Sequence, residues 1–194
     1  MAVQRHDAPW TYEDLLALPD DGKRYEIIEG ELFALTGPNL WHVTAVANLT
    51  ALLLPYVSAI GGRFYPAVFD LFLVGANPVQ PDLAVTLPGS TVRRVGRGVE
   101  GPPDLVIEVI SPSNRVHDVL TKRALYGRAG VREYWIVDPV ALTVEIVTFA
   151  DGPARSRTFA GDQRVVSEVL PNVDFPTSAV FADFDTIEDD AAEG

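Results

Sequence analysis

With 194 residues, 47% of them apolar, the chain is long enough to bury a core unaided, and one compact domain is the expectation. It has no cysteine, which excludes a disulfide framework, a thiolate zinc site and a cysteine nucleophile, so any metal must be held by oxygen or imidazole. The formal charge of -12 argues against strong non-specific nucleic-acid binding, because a phosphate backbone is held mainly by Lys and Arg in excess.

The N-terminal run MAVQRHDAPWTYEDLL has no apolar core of signal-peptide length, and no later stretch is read as approaching the roughly 20 apolar residues of a membrane span. A soluble, cytoplasmic protein with no membrane partner is expected. Charge is unevenly placed: six acids and no bases fall from Asp183 to Gly194. Residues 185–194 therefore read as an acidic, disordered tail to a single domain over residues 1–184. Between Thr91 and Arg132 the sign reverses, with eight bases against four acids, which makes a local basic face feasible.

In chain order, Thr11 to Leu18 reads as a short helix with Thr11 as N-cap and Asp14 three residues on. RYEIIEGELFAL reads as a hairpin with its tight turn at Glu29-Gly30. From Leu40 to Val57 apolar residues recur at helical spacing after the start signal Pro38, giving the first long helix. RFYPAVFDLFLV, PDLAVTL and PDLVIEVI are strand candidates separated by Gly, Pro and Asn turn chemistry. The third is apolar on both faces apart from its acids, the mark of a central strand covered on two sides. Ser111-Pro112-Ser113-Asn114 then caps a helix running to about Gly130, a suitable C′ residue. REYWIVDP is a further strand, and LTVEIVTF, RSRTFA and QRVVS form an antiparallel meander at the sheet edge.

In strand geometry Val106, Glu108 and Ile110 share one face of PDLVIEVISPSN, so Glu108 is a carboxylate among apolar neighbours. An ionised acid there costs several kcal/mol unless a cation or donors compensate it. The plainer account is a buried salt bridge, to Arg123 for instance. Asp82 opens the neighbouring strand candidate in QPDLAV, and adjacent strands would bring it close to Glu108. Taken alone, a Pro-Asp pair is usually only a turn. Two carboxylates with a backbone carbonyl such as that of Val109 form the hard oxygen set that Mg²⁺ prefers. Phosphodiester hydrolysis also calls for a cation at the transition-state oxygens. Position 110, where a strand lysine would stand, is Ile. The nearest lysine is Lys122, in a stripe with Asp118 and Tyr126 on the next helix, where an ordinary Asp-Lys pair is the plainer account. Tyr126, Tyr134 and Trp135 read as core.

RYEIIEGEL, the helix carrying His42, QPDLAV, PDLVIEVISPSN, DVLTKRALYGRAGVREYWIVDP and the late LPN together resemble the Uma-two family of proposed restriction endonucleases, over about residues 10–182. That family belongs to the PD-(D/E)XK nuclease superfamily. The resemblance implies an α/β, restriction-endonuclease-like core: a mixed sheet flanked by helices, here with an N-terminal hairpin and a C-terminal antiparallel meander. It implies a Mg²⁺-dependent endonuclease, with Mn²⁺ as substitute, acting on nucleic acid, DNA in the first instance, and assembled as a homodimer. Asp82 and Glu108 match the motif acids, and Lys122 matches a lysine supplied from the following helix. Glu31, in the GEL turn, and His42 match further family positions with supporting roles. The rival reading is an inactive module of the same fold that binds DNA or a protein partner, and the acidic balance favours it.

Overall fold

The computed structural model describes residues 8–35, 37–111, 117–149 and 153–188, without the side chains of residues 117 and 118. The expected cap at Pro112–Asn114, the Asp118 partner of Lys122 and the end of the acidic tail lie outside the described residues. The chain is mixed α/β, as expected, and its described residues form twelve strands in two six-stranded sheets rather than one.

The central sheet runs β12 (Arg155–Ala160), β11 (Thr143–Thr148), β10 (Glu133–Asp138), β9 (Leu105–Val109), β6 (Leu83–Thr86) and β3 (Arg63–Pro66). Only β9 and β10 pair in parallel, joined by the crossover that holds the π-helical turn His117–Lys122 and α3 (Arg123–Ala129). Period-2 alternation in β9 sends Leu105, Ile107 and Val109 to one face and Val106, Glu108 and Ile110 to the other. The first face meets α2 (Leu40–Ala59) and the C-terminal segment. The second meets α3 and the other sheet. β9 is therefore a central strand covered on both sides, with every residue buried.

The second sheet runs β2 (Glu31–Leu35), β1 (Arg24–Ile28), β5 (Ala76–Val79), β4 (Asp70–Leu73), β8 (Gly98–Glu100) and β7 (Arg93–Val95). The expected hairpin is its nucleus, with Glu29 and Gly30 both left-handed (φ 53° and 76°), as a primed turn requires. RFYPAVFDLFLV is not one strand: Pro66 cannot donate to a ladder, so β3 ends there and β4 continues in the other sheet. Three strands of three or four residues, β5, β7 and β8, were too short and too polar to register as strands in the sequence.

Helix α2 begins at Leu40, as expected, and its N-cap is Asn39, whose side chain accepts from the His42 backbone N–H at 3.0 Å. Two further expectations are corrected. By length and composition alone α2 does meet the requirement for a membrane span. Its stripe of Ala45, Leu49, Leu53 and Val57 is instead buried against the central sheet. The third meander strand, QRVVS, is irregular: Val165, Val169 and Leu170 plug the core below the sheet, and only the bridge from Arg164 to Pro176 has ladder character. A 3-10 turn, Phe184–Thr186, sets Phe184 edge-on to Phe181 at 5.4 Å.

The short helix α1 (Tyr12–Leu16) and the end of α3 follow the sequence closely. Thr11 and Asp14 close a full capping box, with bonds of 3.2 and 2.9 Å. Gly130 ends α3 in the left-handed conformation at φ 93°.

Candidate active site

The β6–β9 register places Leu83 opposite Ile107, and one step further sets Asp82 opposite Glu108 on the same face. Asp82 Oδ2 accepts from the Val109 backbone N–H at 2.8 Å, which ties the end of one strand to the other. The same oxygen lies 3.1 Å from His42 Nε2. The Asn39 cap fixes the first turn of α2 that points the imidazole there. Both contacts fall on Oδ2, so Asp82 keeps Oδ1 clear of them.

Glu108 is buried, as its apolar neighbours dictated, and its compensation comes from α3 and the turn before it. Oε1 accepts from Lys122 Nζ at 2.9 Å and from the Tyr126 hydroxyl at 2.7 Å. The four-residue spacing of Lys122 and Tyr126 stacks them on one helix face, so both reach one oxygen. The π-helical turn ends at Lys122, a local widening often found at functional sites. Lys122 is only 3% exposed, so its solvated-surface reading fails. The suggested partner Arg123 pairs with Glu145 instead, at 3.0 Å.

Lys122 holds a second acid that sequence reasoning missed. Its Nζ lies 3.0 Å from Glu26 Oε1, and that oxygen also accepts from the Gln80 backbone N–H at 2.7 Å. Glu26 is fully buried. The signal for it was present in the sequence: in RYEII it shares a strand face with Ile28, a carboxylate where the ribbon should be apolar. Glu31, expected to support the site from the hairpin, is exposed at the turn end of β2 and does not line the cleft. The hairpin acid that reaches the site is Glu26, through its ion pair with Lys122 rather than by lining the cleft.

His42, Asp82, Glu108, Val109, Ser111 and Lys122 line one cleft, with Arg24 and Gln80 at its wall. Tyr126 stays protonated there: burial, then the negative charge of Glu108, pushes its hydroxyl well above the ordinary tyrosine range. Nε2 of His42 faces the Asp82 carboxylate, and the other ring nitrogen, Nδ1, points away from it. That Nδ1 is buried without a hydrogen-bond partner among the described residues. No group of three or more His, Cys, Asp or Glu side chains among the described residues is arranged to hold a metal.

Comparison with known proteins fits this geometry. The Uma2 family model, described as "Putative restriction endonuclease", matches residues 12–178. Curated proteins give no match. Among solved structures, the crystal structure of a "putative nuclease belonging to DUF820" from Anabaena variabilis superposes with a TM-score of 0.73 at 21% identity, covering 89% of this chain and 98% of that one. At that identity the likeness speaks for the fold alone. The match of the family model over most of the length is what decides membership: the chain belongs to the Uma2 family.

Proposed function

We propose that the protein is a divalent-metal-dependent endonuclease that hydrolyses phosphodiester bonds of nucleic acid, DNA in the first instance. The observation that carries the reading is the juxtaposition of Asp82 and Glu108 across the β6–β9 register, with buried Lys122 held on Glu108. Family membership supports it.

The donor set fits a hard cation. Mg²⁺ usually takes one or two carboxylates and completes its shell with water, and Asp82, Glu108 and the Val109 carbonyl would hold it; Mn²⁺ should substitute. When bound, such an ion supplies positive charge against the phosphate oxygens. The remaining roles belong to side chains. His42 orients Asp82 through the 3.1 Å contact to Oδ2. Glu26 and Tyr126 fix Lys122 and Glu108 relative to each other. Lys122 orients the attacking water and offsets charge that develops on the phosphate as the bond breaks.

A second reading, an inactive module of the same fold that binds DNA or a protein partner, is favoured by one observation: Lys122 is ion-paired to two carboxylates at once. Incubation with plasmid, linear and single-stranded DNA under Mg²⁺ and under Mn²⁺ separates the two. The endonuclease reading expects cutting by the wild type and a loss of roughly 10²-fold or more in Asp82→Ala. Binding without cutting supports the module, and equal cutting by Asp82→Ala removes the proposed site.

A further inference from the structure

Arg24 opens β1, two residues before Glu26 and on the same strand face, opposite Leu35 in the hairpin register. Both Arg24 and Leu35 line the cleft that holds Asp82 and Glu108. Thirteen Lys and Arg lie among the described residues, and nine of them are ion-paired with carboxylates. Arg24, Arg63, Arg94 and Arg157 are not, and of these four Arg24 alone lines the cleft. Arg24 is also half-buried.

The charge of the site gives this cation a purpose. Glu26, Asp82 and Glu108 set three carboxylates against one lysine, a formal excess of two negative charges. A divalent cation brings that set to formal neutrality, so the negative charge of the phosphodiester itself calls for one cation more. The cleft walls are polar and incompletely satisfied as well: His42 Nδ1 and Gln80 Oε1 are buried without partners among the described residues.

We propose that Arg24 is a substrate-binding residue whose guanidinium takes the non-bridging oxygens of a backbone phosphate at the mouth of the cleft, in the two-pronged manner open to arginine. The inference rests on the nuclease reading for its ligand but not on cutting.

The test compares wild type, Arg24→Gln and Arg24→Lys by fluorescence anisotropy with labelled duplex and single-stranded DNA. Ca²⁺ replaces Mn²⁺, salt is varied, and thermal unfolding of each protein is measured alongside. Arg24→Gln should bind about tenfold more weakly, with a salt slope smaller by about one phosphate contact. Arg24→Lys should keep the slope, because the charge remains, and lose only part of the affinity, because the fork is gone. Under Mn²⁺, KM should rise more than kcat falls in Arg24→Gln. Unchanged affinity and slope in a stably folded Arg24→Gln overturn the proposal even if the wild type cuts DNA. If the wild type binds without cutting and Arg24→Gln binds more weakly, the proposal stands while the catalytic reading falls. If the wild type neither binds nor cuts DNA, both fall.

Discussion

Glu108 Oε1 carries two donors, the Lys122 ammonium at 2.9 Å and the Tyr126 hydroxyl at 2.7 Å. Hydrogen bonds to a charged acceptor contribute about 1.5–3 kcal/mol, so the tyrosine is more than core filling. Its phenol is pushed above the ordinary value of 10.0, by burial first and by the Glu108 charge second. A folded pKa above the unfolded one means that the unfolded chain releases the proton first as pH rises. The stability this group contributes is full below about pH 10 and declines as pH climbs past it. Tyr126→Phe should therefore be less stable than wild type by about 1.5–3 kcal/mol near pH 8, and the gap should narrow above about pH 10. Urea unfolding at both pH values checks this. A gap that stays constant would assign the alkaline loss to another group.

At the scale of elements, Lys122 joins β1 of one sheet to β9 of the other, since Glu26 and Glu108 meet on its ammonium. Removing one partner of a buried ion pair strands a charge in low dielectric and costs about 3–5 kcal/mol. Lys122→Met should lose stability in that range, because two carboxylates lose their cation together. Glu26→Gln combined with Lys122→Met should regain part of it, with a coupling of about 0.5–3 kcal/mol, and should still fail to cut DNA. Strictly additive losses in the double-mutant cycle would mean that the two side chains do not act on each other.

The same elements show what the sequence could and could not tell. The two faces of β9 and the helix over residues 40–57 follow from local periodicity, which one strand or one helix carries by itself, whereas the Asp82–Glu108 pairing was legible as acids on neighbouring strand candidates and as the two acids of a family motif. The roles of Glu26 and Arg24 were out of reach for a different reason, although the acid on the Ile28 face of β1 was itself visible in the sequence. Alternation puts them on one face of β1, but what that face meets depends on β1 joining β5 through a single pair, Ile28 with Ala76, in a second sheet. Such a contact is non-local and leaves no mark in the residues nearby. The three-residue strands β7 and β8 offered no period to read.

Across the whole molecule, most of the described bases in the run from Thr91 to Arg132 are ion-paired. Arg93 and Arg97 converge on Glu100, Arg132 pairs with Asp104, Arg123 with Glu145 and Arg128 with Glu29. Exposed pairs of this kind contribute little to stability, yet each removes a cation from long-range attraction of phosphate. In a chain of formal charge -12 with most of its described bases so occupied, the proposed endonuclease has little long-range attraction for phosphate outside the cleft. The two acids there repel each other when no cation lies between them, so binding a metal should stabilise the entire fold, by about 2.7 kcal/mol at a hundred times the dissociation constant. Calorimetric titration with Mn²⁺, read beside thermal unfolding, bears most directly on the paired carboxylates. Wild type should show one site and a rise in Tm, and Asp82→Ala and Glu108→Ala should show neither; equal Mn²⁺ binding by all three proteins would contradict a metal centre built on Asp82 and Glu108.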